Sequence, residues 1–346
     1  MPSEYAAVLE KIEAALDEWL PEAPAAAWRA RVFTGTGEGG DEAALRALTV
    51  PCRDLVKRGG KRWRPLLMAL VGSALGGDKG LDRAVQLSPL VEFPHNASLI
   101  HDDIEDDSRE RRGRPAVHLL YGADLALNSG SFLYFLPLAC LAQVPGSPEW
   151  RALLYAAWAS HLRSLHLGQA ADISWHRDFN SMPSSEAYER MCRLKTGCLA
   201  RLGAVLGVLA GHPAPESREA EALAGRLGSA AETLGLGFQI LDDVKNLREG
   251  VPGKQRGDDV AEGKKSLPVI LFLQGARDRA AQVIRCFTAA RAAGVSAPEV
   301  NELIAAMEGA GAVEEAARRG KALVANACAA LAECDARLAG LAALLG

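Results

Sequence analysis

Carboxylates at helical spacing stand close to arginines in one segment of this sequence. Asp102, Asp103 and Asp106 are separated by one, three and four positions, and on a helix these spacings would place the three side chains on one face. Mg²⁺ prefers oxygen ligands and is commonly shared between one or two carboxylates and substrate phosphates. Arg111 and Arg112 follow shortly after, and guanidinium groups suit bidentate phosphate binding. The segment therefore favours a diphosphate substrate held by metal and arginine.

Two plainer interpretations stay open when this segment is considered alone. An acidic run followed by a basic run is typical of a solvated helix face with ion pairs, and the basic half could form a nucleic-acid patch. A second copy of the pattern favours the metal interpretation. Asp242, Asp243 and Asn246 repeat the i, i+1, i+4 spacing 140 residues after Asp102, and an apolar helical stretch precedes each copy.

The composition is that of a globular, helical protein. Its 346 residues are 49% hydrophobic and 5% aromatic, with a formal net charge of −4. Alanine and leucine dominate, which favours helix, and alternating β-branched runs are nearly absent. We therefore predict an all-α fold that forms a single domain over residues 1–346. The mild negative charge argues against a general polyanion binder, so we expect no nucleic-acid partner.

Cysteine usage and the apolar segments bear on the location of the protein. The seven cysteines are scattered and contain no CxxC pair, which is typical of proteins in a reducing cytosol. The N-terminal stretch is amphipathic and acidic, unlike a signal peptide. No apolar run reaches the ~18 residues that a membrane span requires. We therefore expect a cytoplasmic protein without an integral membrane segment.

Hydrophobic periodicity predicts a series of helices joined by loops rich in Gly and Pro. The predicted helices cover residues 4–20, 42 onward, 66–75, 81–107, 119–143, 149–175, 184 onward, 218–247 and, as one amphipathic helix, the tail from 313. We expect the glycines of GGDKG (76–80) to end one helix and Pro94 to kink another. Phe132, Tyr134 and Phe135 are predicted to be core. The segment 248–268 is predicted to be a loop able to close over a ligand.

Three further motifs place polar side chains in apolar or glycine-rich surroundings. In KRGGKRWRP (57–65) two glycines precede a cluster of cations, which indicates either an anion site or an ordinary surface loop. Gln169 and Asp172 lie three residues apart on one helix face, where a buried pair would need a polar partner. Lys195 and Thr196 interrupt an apolar helix, and taken alone they are more typical of a snorkelling lysine and a back-bonded threonine.

Together these motifs resemble the trans-prenyltransferases, the isoprenyl diphosphate synthases. The resemblance runs from about Gly59 to Pro268 and depends on an ordered set, namely GGKRWRP, DDIEDD with RRG, GQAAD, KTG, FQILDD and GDDVAEGKKSLP. HNASLIHDDIEDDS, ISWHRDF and DDVKN look most like the eukaryotic-type geranylgeranyl diphosphate synthases. The resemblance implies the isoprenoid synthase fold, a helical bundle around a deep central cavity, with C-terminal helices over residues 269–346.

The resemblance also implies an activity, which is the Mg²⁺-dependent, head-to-tail trans condensation of isopentenyl diphosphate with an allylic diphosphate. It implies three Mg²⁺ ions per active site, geranylgeranyl diphosphate as product, and a homodimer. The implied metal ligands are Asp102, Asp103, Asp106 and Asp242. The implied contacts of the allylic diphosphate are Arg111, Lys195, Lys254 and Lys264. The implied contacts of isopentenyl diphosphate are Lys61, Arg64, His95 and Arg112. The implied catalytic set is the four aspartates with Lys195, Thr196 and Gln239.

Two details of the resemblance qualify these roles. Asn246 replaces the last aspartate of the second motif and is a weaker Mg²⁺ ligand, so Asp242 is expected to be the main ligand there. Product length should depend on how far the tail can run along the first acidic helix. Ala97 and Ser98 lie about one turn before Asp102 and are small, so we expect Ala97→Phe to shorten the product. Pro94, one turn deeper, leaves a product of twenty-five carbons or more open.

Rival functions remain compatible with parts of the sequence. A farnesyl-length synthase or a class I terpene cyclase could use the same fold, but a cyclase needs no second diphosphate site and normally carries a spaced Asn/Ser/Glu triad that is not found after Asp242. A catalytically inactive partner subunit would tend to lose an aspartate cluster or a cationic clamp, and this chain keeps both. A simple acidic metal-binding scaffold would explain none of the cations.

Overall fold

The computed structural model describes residues 3–33, 41–250, 255–275 and 279–345, and within them seventeen α-helices follow one another. The helices are α1 (Ser3–Trp19), α2 (Ala26–Val32), α3 (Glu42–Lys57), α4 (Trp63–Gln86), α5 (Pro89–Glu105), α6 (Val117–Tyr121), α7 (Ala123–Gln143), α8 (Pro148–Arg177), α9 (Ser185–Cys192), α10 (Cys198–Gly211), α11 (Arg218–Arg248), α12 (Asp258–Glu262), α13 (Leu267–Gln274), α14 (Arg279–Ala293), α15 (Pro298–Gly309), α16 (Ala312–Ala332) and α17 (Leu341–Leu345). A π-helical turn covers Arg193–Gly197, and 3₁₀ turns cover Gly294–Ser296 and Ala336–Gly340. The described strands are β1 (Glu110–Arg111) and β2 (Arg114–Pro115). The predicted all-α class is confirmed.

The helices pack into a bundle with two apolar clusters. α10 packs against α4, α8 and α11, while α5 packs against α7. The larger cluster joins α1–α8, α10, the first half of α11, the second half of α16 and α17. The smaller one joins α9, the second half of α11, α12–α15 and the first half of α16. Because α11 and α16 contribute to both, they connect the two clusters. The single domain over residues 1–346 stays a prediction.

The predicted break at the glycines of residues 76–80 is confirmed at Gly77. Its backbone (φ 57°, ψ −142°) is not helical, and a positive φ is a conformation that glycine adopts without steric cost. The chain turns back there, so that Gly80 comes against the carbonyl of Gly72, and a Cβ at Gly80 would collide with that backbone. The break therefore depends on glycine at both positions.

Three predicted boundaries or environments are wrong. The helix predicted over 81–107 is two helices, because Pro89 has no amide hydrogen and starts a new first turn after Gln86. The tail is not one helix: α16 ends at Ala332, and Asp335 caps a 3₁₀ turn by accepting from the amide of Arg337. Phe135, predicted to be core, is 64% exposed.

Two helical segments are long and apolar enough to cross a membrane by length and composition. This was not predicted from the sequence, because neither segment contains an unbroken apolar run of the length that a membrane span requires. They are α7 and the continuous helix over residues 185–211, and 50% and 78% of their most apolar windows are buried inside the protein. Core helices of a helical bundle pass the same test, so the expectation of no integral membrane segment is unchanged.

Candidate active site

A cavity of ≈ 410 Å³ opens in the middle of the bundle. Its walls come from the turn before α4, from α5, the β1–β2 hairpin, α7, α8, the α9–α10 helix, α11 and the segment 259–266. Its apolar lining includes Leu99, Tyr134, Leu165, Leu199 and Phe238. The remaining lining is strongly charged, and the charges fall into one basic and two acidic groups.

The basic group lies where the chain turns into α4. Gly59 and Gly60 have positive φ values (84° and 138°), which lets the backbone turn sharply before Lys61. Lys61 and Arg64 line the cavity together with His95 of α5. The Arg64 Nη1 atom lies 3.5 Å from the His95 Nε2 atom. The cations of the glycine-rich motif therefore line the cavity, and their role as an anion site stays a prediction.

A hairpin brings a further arginine to the basic group. Arg112 (φ 54°) and Gly113 (φ 73°) form the turn between β1 and β2, and consecutive left-handed residues are typical of a two-residue hairpin turn. The Arg112 Nη1 atom donates to the Asn96 Oδ1 atom (3.1 Å) and the Leu55 carbonyl (3.1 Å). A Cβ at Gly60 would lie 3.1 Å from the Arg112 guanidinium. Glycine at that position therefore leaves room for the arginine.

Burial lowers the pKa values of three side chains in the basic group. Loss of hydration lowers the pKa of Arg64 to about 10 and that of Arg112 to about 10, although the carboxylate of Glu92 opposes both shifts. Burial, followed by the nearby guanidinium groups, lowers the pKa of His95 well below its ordinary value. His95 is therefore neutral at pH 7, and the arginines supply the charge.

The first acidic group is bridged by a lysine. Lys195 lies in the π-helical turn, a feature often found at functional sites. Its Nζ atom donates to the Asp102 Oδ1 atom (3.1 Å) on α5 and the Asp172 Oδ2 atom (2.6 Å) on α8. Burial lowers the pKa of Lys195, whereas the two carboxylates raise it by a larger amount, so the net shift of the pKa is upward. Gln169, on the same helix as Asp172, donates to Asp102 (3.0 Å) and Glu105 (2.6 Å).

The other two aspartates of the first motif have different surroundings. Asp103 is completely buried, and its Oδ1 atom accepts from the Arg111 Nε atom at 2.8 Å. It therefore departs from the predicted common face, because consecutive helical residues point about 100° apart. Asp106 follows the last residue of α5, and its carboxylate lies 3.4 Å from the Lys264 Nζ atom and 3.8 Å from the His176 Nδ1 atom.

The second acidic group lies on α11, another wall of the same cavity. Asp242 and Asp243 both line the cavity. Asp243 accepts from the Tyr188 hydroxyl (2.6 Å) and the Gln239 Nε2 atom (2.9 Å). Burial, followed by the carboxylates of Asp259 and Asp242, raises the pKa of Asp243 to about 7. Negative charge is thus crowded on this wall.

Two polar side chains stand beside the second group. The Thr196 hydroxyl donates to the Gln239 Oε1 atom at 2.8 Å, and both side chains line the cavity. Asn246 also lines the cavity, and its Oδ1 atom accepts from the amide of Asp259 at 3.3 Å. The asparagine therefore connects α11 to the segment that carries Lys264.

The donor set fits Mg²⁺ shared with a substrate. In the described residues no three His, Cys, Asp or Glu side chains are close enough to hold an ion by themselves. The available ligands are carboxylate oxygens on α5 and α11 that line the same cavity, and Mg²⁺ characteristically takes one or two carboxylates and completes its shell with phosphate oxygens and water. The crowded carboxylates beside Asp243 would be stabilised by a divalent cation, which is the expected chemistry of such a site.

The structure brings most of the predicted residues to one cavity. The predicted residues that line it are Lys61, Arg64, His95, Asp102, Arg111, Arg112, Lys195, Thr196, Gln239, Asp242 and Lys264. Asp103 and Asp106 contact two of these lining residues, since Asp103 pairs with Arg111 and Asp106 pairs with Lys264. Lys254 lies outside the described residues. Their roles stay predictions.

Several cavity residues had no predicted role. Asp172 and Gln169 could have been found, since their spacing already required a polar partner. Glu92 and Tyr188 give no such signal, because single polar residues in apolar helices are common and only the folded structure shows what they contact.

Comparisons with known proteins agree with this geometry. A family model described as polyprenyl synthetase matches residues 46–306. A geranylgeranyl pyrophosphate synthase of Eremothecium gossypii is 35% identical over 236 residues, covering 66% of this chain and 70% of that protein. A geranylfarnesyl diphosphate synthase of Aeropyrum pernix is 35% identical over 233 residues, covering 65% of this chain and 70% of that protein. The crystal structure of a geranylgeranyl pyrophosphate synthetase from Pyrococcus horikoshii superposes with a TM-score of 0.81 at 28% identity, covering 99% of this chain and 97% of that one.

The raised pKa of Asp243 predicts a pH-dependent stability. Because the folded-state value of about 7 exceeds the ordinary 3.8, the folded protein keeps a proton that the unfolded chain releases, and stability falls as pH rises from about 4 to about 7. Without divalent cations, we expect Asp243→Asn to raise the free energy of unfolding at pH 8 by roughly 1–3 kcal/mol relative to wild type. Urea denaturation at pH 5 and pH 8 measures this.

The difference between Asp243→Asn and wild type should shrink towards pH 5, where the wild-type carboxyl is protonated. Asp82→Asn, an exposed aspartate paired with Lys11, serves as the control and should show no comparable change. An Asp243→Asn effect that is the same at both pH values would contradict the raised pKa.

Proposed function

We propose that this chain, which belongs to the polyprenyl synthetase family, condenses isopentenyl diphosphate with an allylic diphosphate to form geranylgeranyl diphosphate. The observation that carries the proposal is one cavity that is lined by a basic group at Lys61, Arg64 and Arg112, by acidic groups on α5 and α11, and by apolar side chains. Such a cavity can hold two diphosphates and a hydrocarbon tail together. A terpene cyclase would have no use for the separate basic group.

The residues divide the substrates between them. The basic group binds the diphosphate of isopentenyl diphosphate through charge-assisted hydrogen bonds, and neutral His95 completes it. Lys195, Lys264 and Arg111 lie at the acidic groups and bind the allylic diphosphate, with Lys254 as a further candidate. Each of the three already pairs with aspartates, so substrate phosphates would take over cations that the carboxylates now hold.

Mg²⁺ is assigned to the acidic walls, with three ions per active site as the proposed number. Asp102, Asp106 and Asp242 are the proposed ligands. Asp103 instead orients Arg111, because its completely buried carboxylate accepts a hydrogen bond from that guanidinium group. When bound, Mg²⁺ neutralises the charge that develops on the departing diphosphate.

The chain's own residues supply the other requirements of the reaction. Thr196 and Gln239 line the cavity, and their oxygens can stabilise positive charge that develops on the allylic carbon. The apolar lining around Leu99 and Phe238 excludes water, which protects that carbon from hydrolysis. The double bond of isopentenyl diphosphate attacks the carbon, and the proton that is then lost passes to the released diphosphate.

Purified protein with Mg²⁺, isopentenyl diphosphate and each allylic starter tests the proposal, with products sized by chromatography. We expect twenty-carbon diphosphate as the main product and no turnover with excess EDTA. Asp102→Asn and Asp242→Asn should each lower kcat at least about 100-fold, since each removes the negative charge of a proposed metal ligand. Asp82→Asn is the control, because that aspartate is exposed far from the cavity lining.

Two outcomes of this assay would contradict the proposal. A hydrocarbon formed from geranylgeranyl diphosphate alone would indicate a cyclase. Full activity of both aspartate variants would refute the assignment of these aspartates as metal ligands. A main product of fifteen or twenty-five carbons would support the proposed condensation but would correct the proposed chain length of the product.

Product length is expected to depend on Ser98 rather than Ala97. Ser98 lines the cavity one turn before Asp102, whereas Ala97 is completely buried in the core. We therefore expect Ser98→Phe to shorten the main product, because its ring would enter the space that the growing tail needs. Ala97→Phe, the variant suggested by the sequence, should instead lower the melting temperature, since overpacking of a core typically costs about 1–3 kcal/mol.

Chromatographic sizing and thermal melts separate these two variants. Unchanged product from a folded Ser98→Phe variant, or a shortened product from a stable Ala97→Phe variant, would contradict the placement of the wall.

We also propose that two copies of the chain associate through α6–α8. The exposed large apolar residues of the described chain all lie on these helices, namely Leu119, Leu120, Leu125, Leu127, Phe135, Tyr155 and Leu167. Exposed apolar side chains that gather on consecutive helices are typical of a protein–protein interface. A second copy is the occupant that this family leads us to expect.

Sedimentation measures the proposed association. Wild type should sediment as twice the 36.6 kDa chain, and Phe135→Glu should shift it towards the monomer because a charge would be buried in the interface. Ala214→Glu, at an exposed loop position, should leave the mass unchanged. A monomeric wild type would refute the interface.

The proposed location is the cytosol. All seven cysteines are free thiols, and six of them are buried, as expected for a protein that folds under reducing conditions.

A further inference from the structure

Arg62 lies between the two cationic residues of the turn and has an unusual backbone. Its φ of 47° is in the left-handed region, and it is the residue that immediately precedes α4. A residue with a Cβ is strained there and keeps that conformation only when its surroundings fix it. Since Lys61 and Arg64 flank this residue, the turn at Arg62 decides where both cations point.

The surroundings fix Arg62 through its whole guanidinium group. The Nε atom donates to Glu13 Oε1 (2.6 Å), Nη1 to Glu92 Oε1 (2.7 Å), and Nη2 to the Val56 carbonyl (2.6 Å). Nη1 also approaches the Gly59 carbonyl at 3.3 Å. The side chain is 3% exposed. Although Arg62 is at the cavity wall, each of its guanidinium nitrogens already has a protein acceptor.

Glu92 extends this network to the hairpin arginine. Its Oε1 atom also accepts from the Asn96 Nδ2 atom at 3.0 Å, and the Asn96 Oδ1 atom accepts from Arg112 Nη1 at 3.1 Å. Both Glu92 and Asn96 are almost completely buried on α5. One carboxylate thus fixes Arg62 directly and Arg112 through a single amide.

We infer that Arg62, Glu92 and Asn96 are positioning residues, which hold Lys61, Arg64 and Arg112 in the geometry that binds isopentenyl diphosphate, and that Glu13 of α1 supports them. The inference rests on the proposed function, since it concerns the substrate assigned to the basic group. Arg62 itself donates to protein acceptors rather than to substrate. The carboxylates that pair with it keep its charge from being an unpaired charge in the protein interior.

The contribution of Glu13 is notable because α1 lies outside the matched family region, which begins at residue 46. α1 packs against α4, and Glu13 reaches Arg62 from that side with its own side chain 38% exposed. The basic group is therefore completed by a segment that the family match does not include. Removal of the Glu13 charge should weaken this support without disturbing a buried core.

A purely electrostatic role for Glu92 predicts the opposite effect of mutation. If its negative charge only repelled the diphosphate, Glu92→Gln would bind isopentenyl diphosphate more tightly. If Glu92 acts by position, the same variant weakens binding, because the ion pair that fixes Arg62 is replaced by a weaker hydrogen bond to a neutral amide. The Michaelis constant for isopentenyl diphosphate distinguishes the two, with the constant for the allylic substrate as internal reference.

Four single variants test the inference in the condensation assay. We expect Glu92→Gln and Asn96→Ala each to raise KM for isopentenyl diphosphate about tenfold and to change the allylic KM less than about twofold. The first variant loses the ion pair of Arg62, and the second loses the hydrogen bond of Arg112. Glu13→Gln should raise the isopentenyl KM about threefold, because its pair is partly exposed. Glu18→Gln is the matched control, since Glu18 pairs with Arg31 at the outer surface of the same helix.

The outcomes separate this inference from the proposed function. A wild type that does not condense isopentenyl diphosphate refutes the proposed function, whereas an active wild type with unchanged or lowered isopentenyl KM in Glu92→Gln overturns the positioning role. Equal rises in both Michaelis constants would show a general structural role and would also overturn it. If the buried variants do not fold, Glu13→Gln against Glu18→Gln decides alone, and identical constants in the two would refute the inference.

Discussion

The architecture depends on the need to compensate many charges that share one poorly hydrated cavity. Lys195 shows the principle, because its ammonium lies between Asp102 on α5 and Asp172 on α8 and holds the two helices to one geometry. An isolated ion in such a place would cost several kcal/mol, and pairing recovers much of that cost. Removal of one partner would therefore affect the others. The paired charges are arranged so that a diphosphate and metal ions could take the place of the present partners.

Local backbone geometry serves the same end. The described non-glycine residues with positive φ are Arg62, Asp107 and Arg112, and all three lie in the segments that carry the charged groups. Lys195 and Thr196 stand in a π-helical turn. Unusual conformations collect where side chains must be aimed rather than where helices merely pack. The long regular helices provide the rigid support from which these short irregular segments project.

The sequence predicted the helical class and the paired acidic motifs because both follow from local patterns. Periodicity reports helices, and the repeated spacing at Asp102 and Asp242 reports two similar faces, which the structure places at one cavity. The sequence failed where long-range packing decides. It could not show that Asp103 turns to Arg111, that Phe135 faces outward, or that the tail breaks before Asp335. Glu92 was missed for the same reason, since its partners come from the turn before α4 and from its own helix.

The charge arrangement also explains how one cavity could distinguish two diphosphates. At the basic group the direct ion pair of Glu92 is with Arg62, while Arg64 and Arg112 feel the same carboxylate only as a neighbouring charge, so an anion can bind there directly. At the acidic groups each cation already pairs with a carboxylate, and Asp242, Asp243 and Asp259 crowd negative charge on one wall. An anion entering there is repelled until divalent cations offset the carboxylates. In the proposed reaction isopentenyl diphosphate therefore binds through protein side chains alone, while the allylic diphosphate binds together with its metal ions. The positive charge of the basic group and the negative charge of the acidic groups direct the two diphosphates to different parts of the cavity.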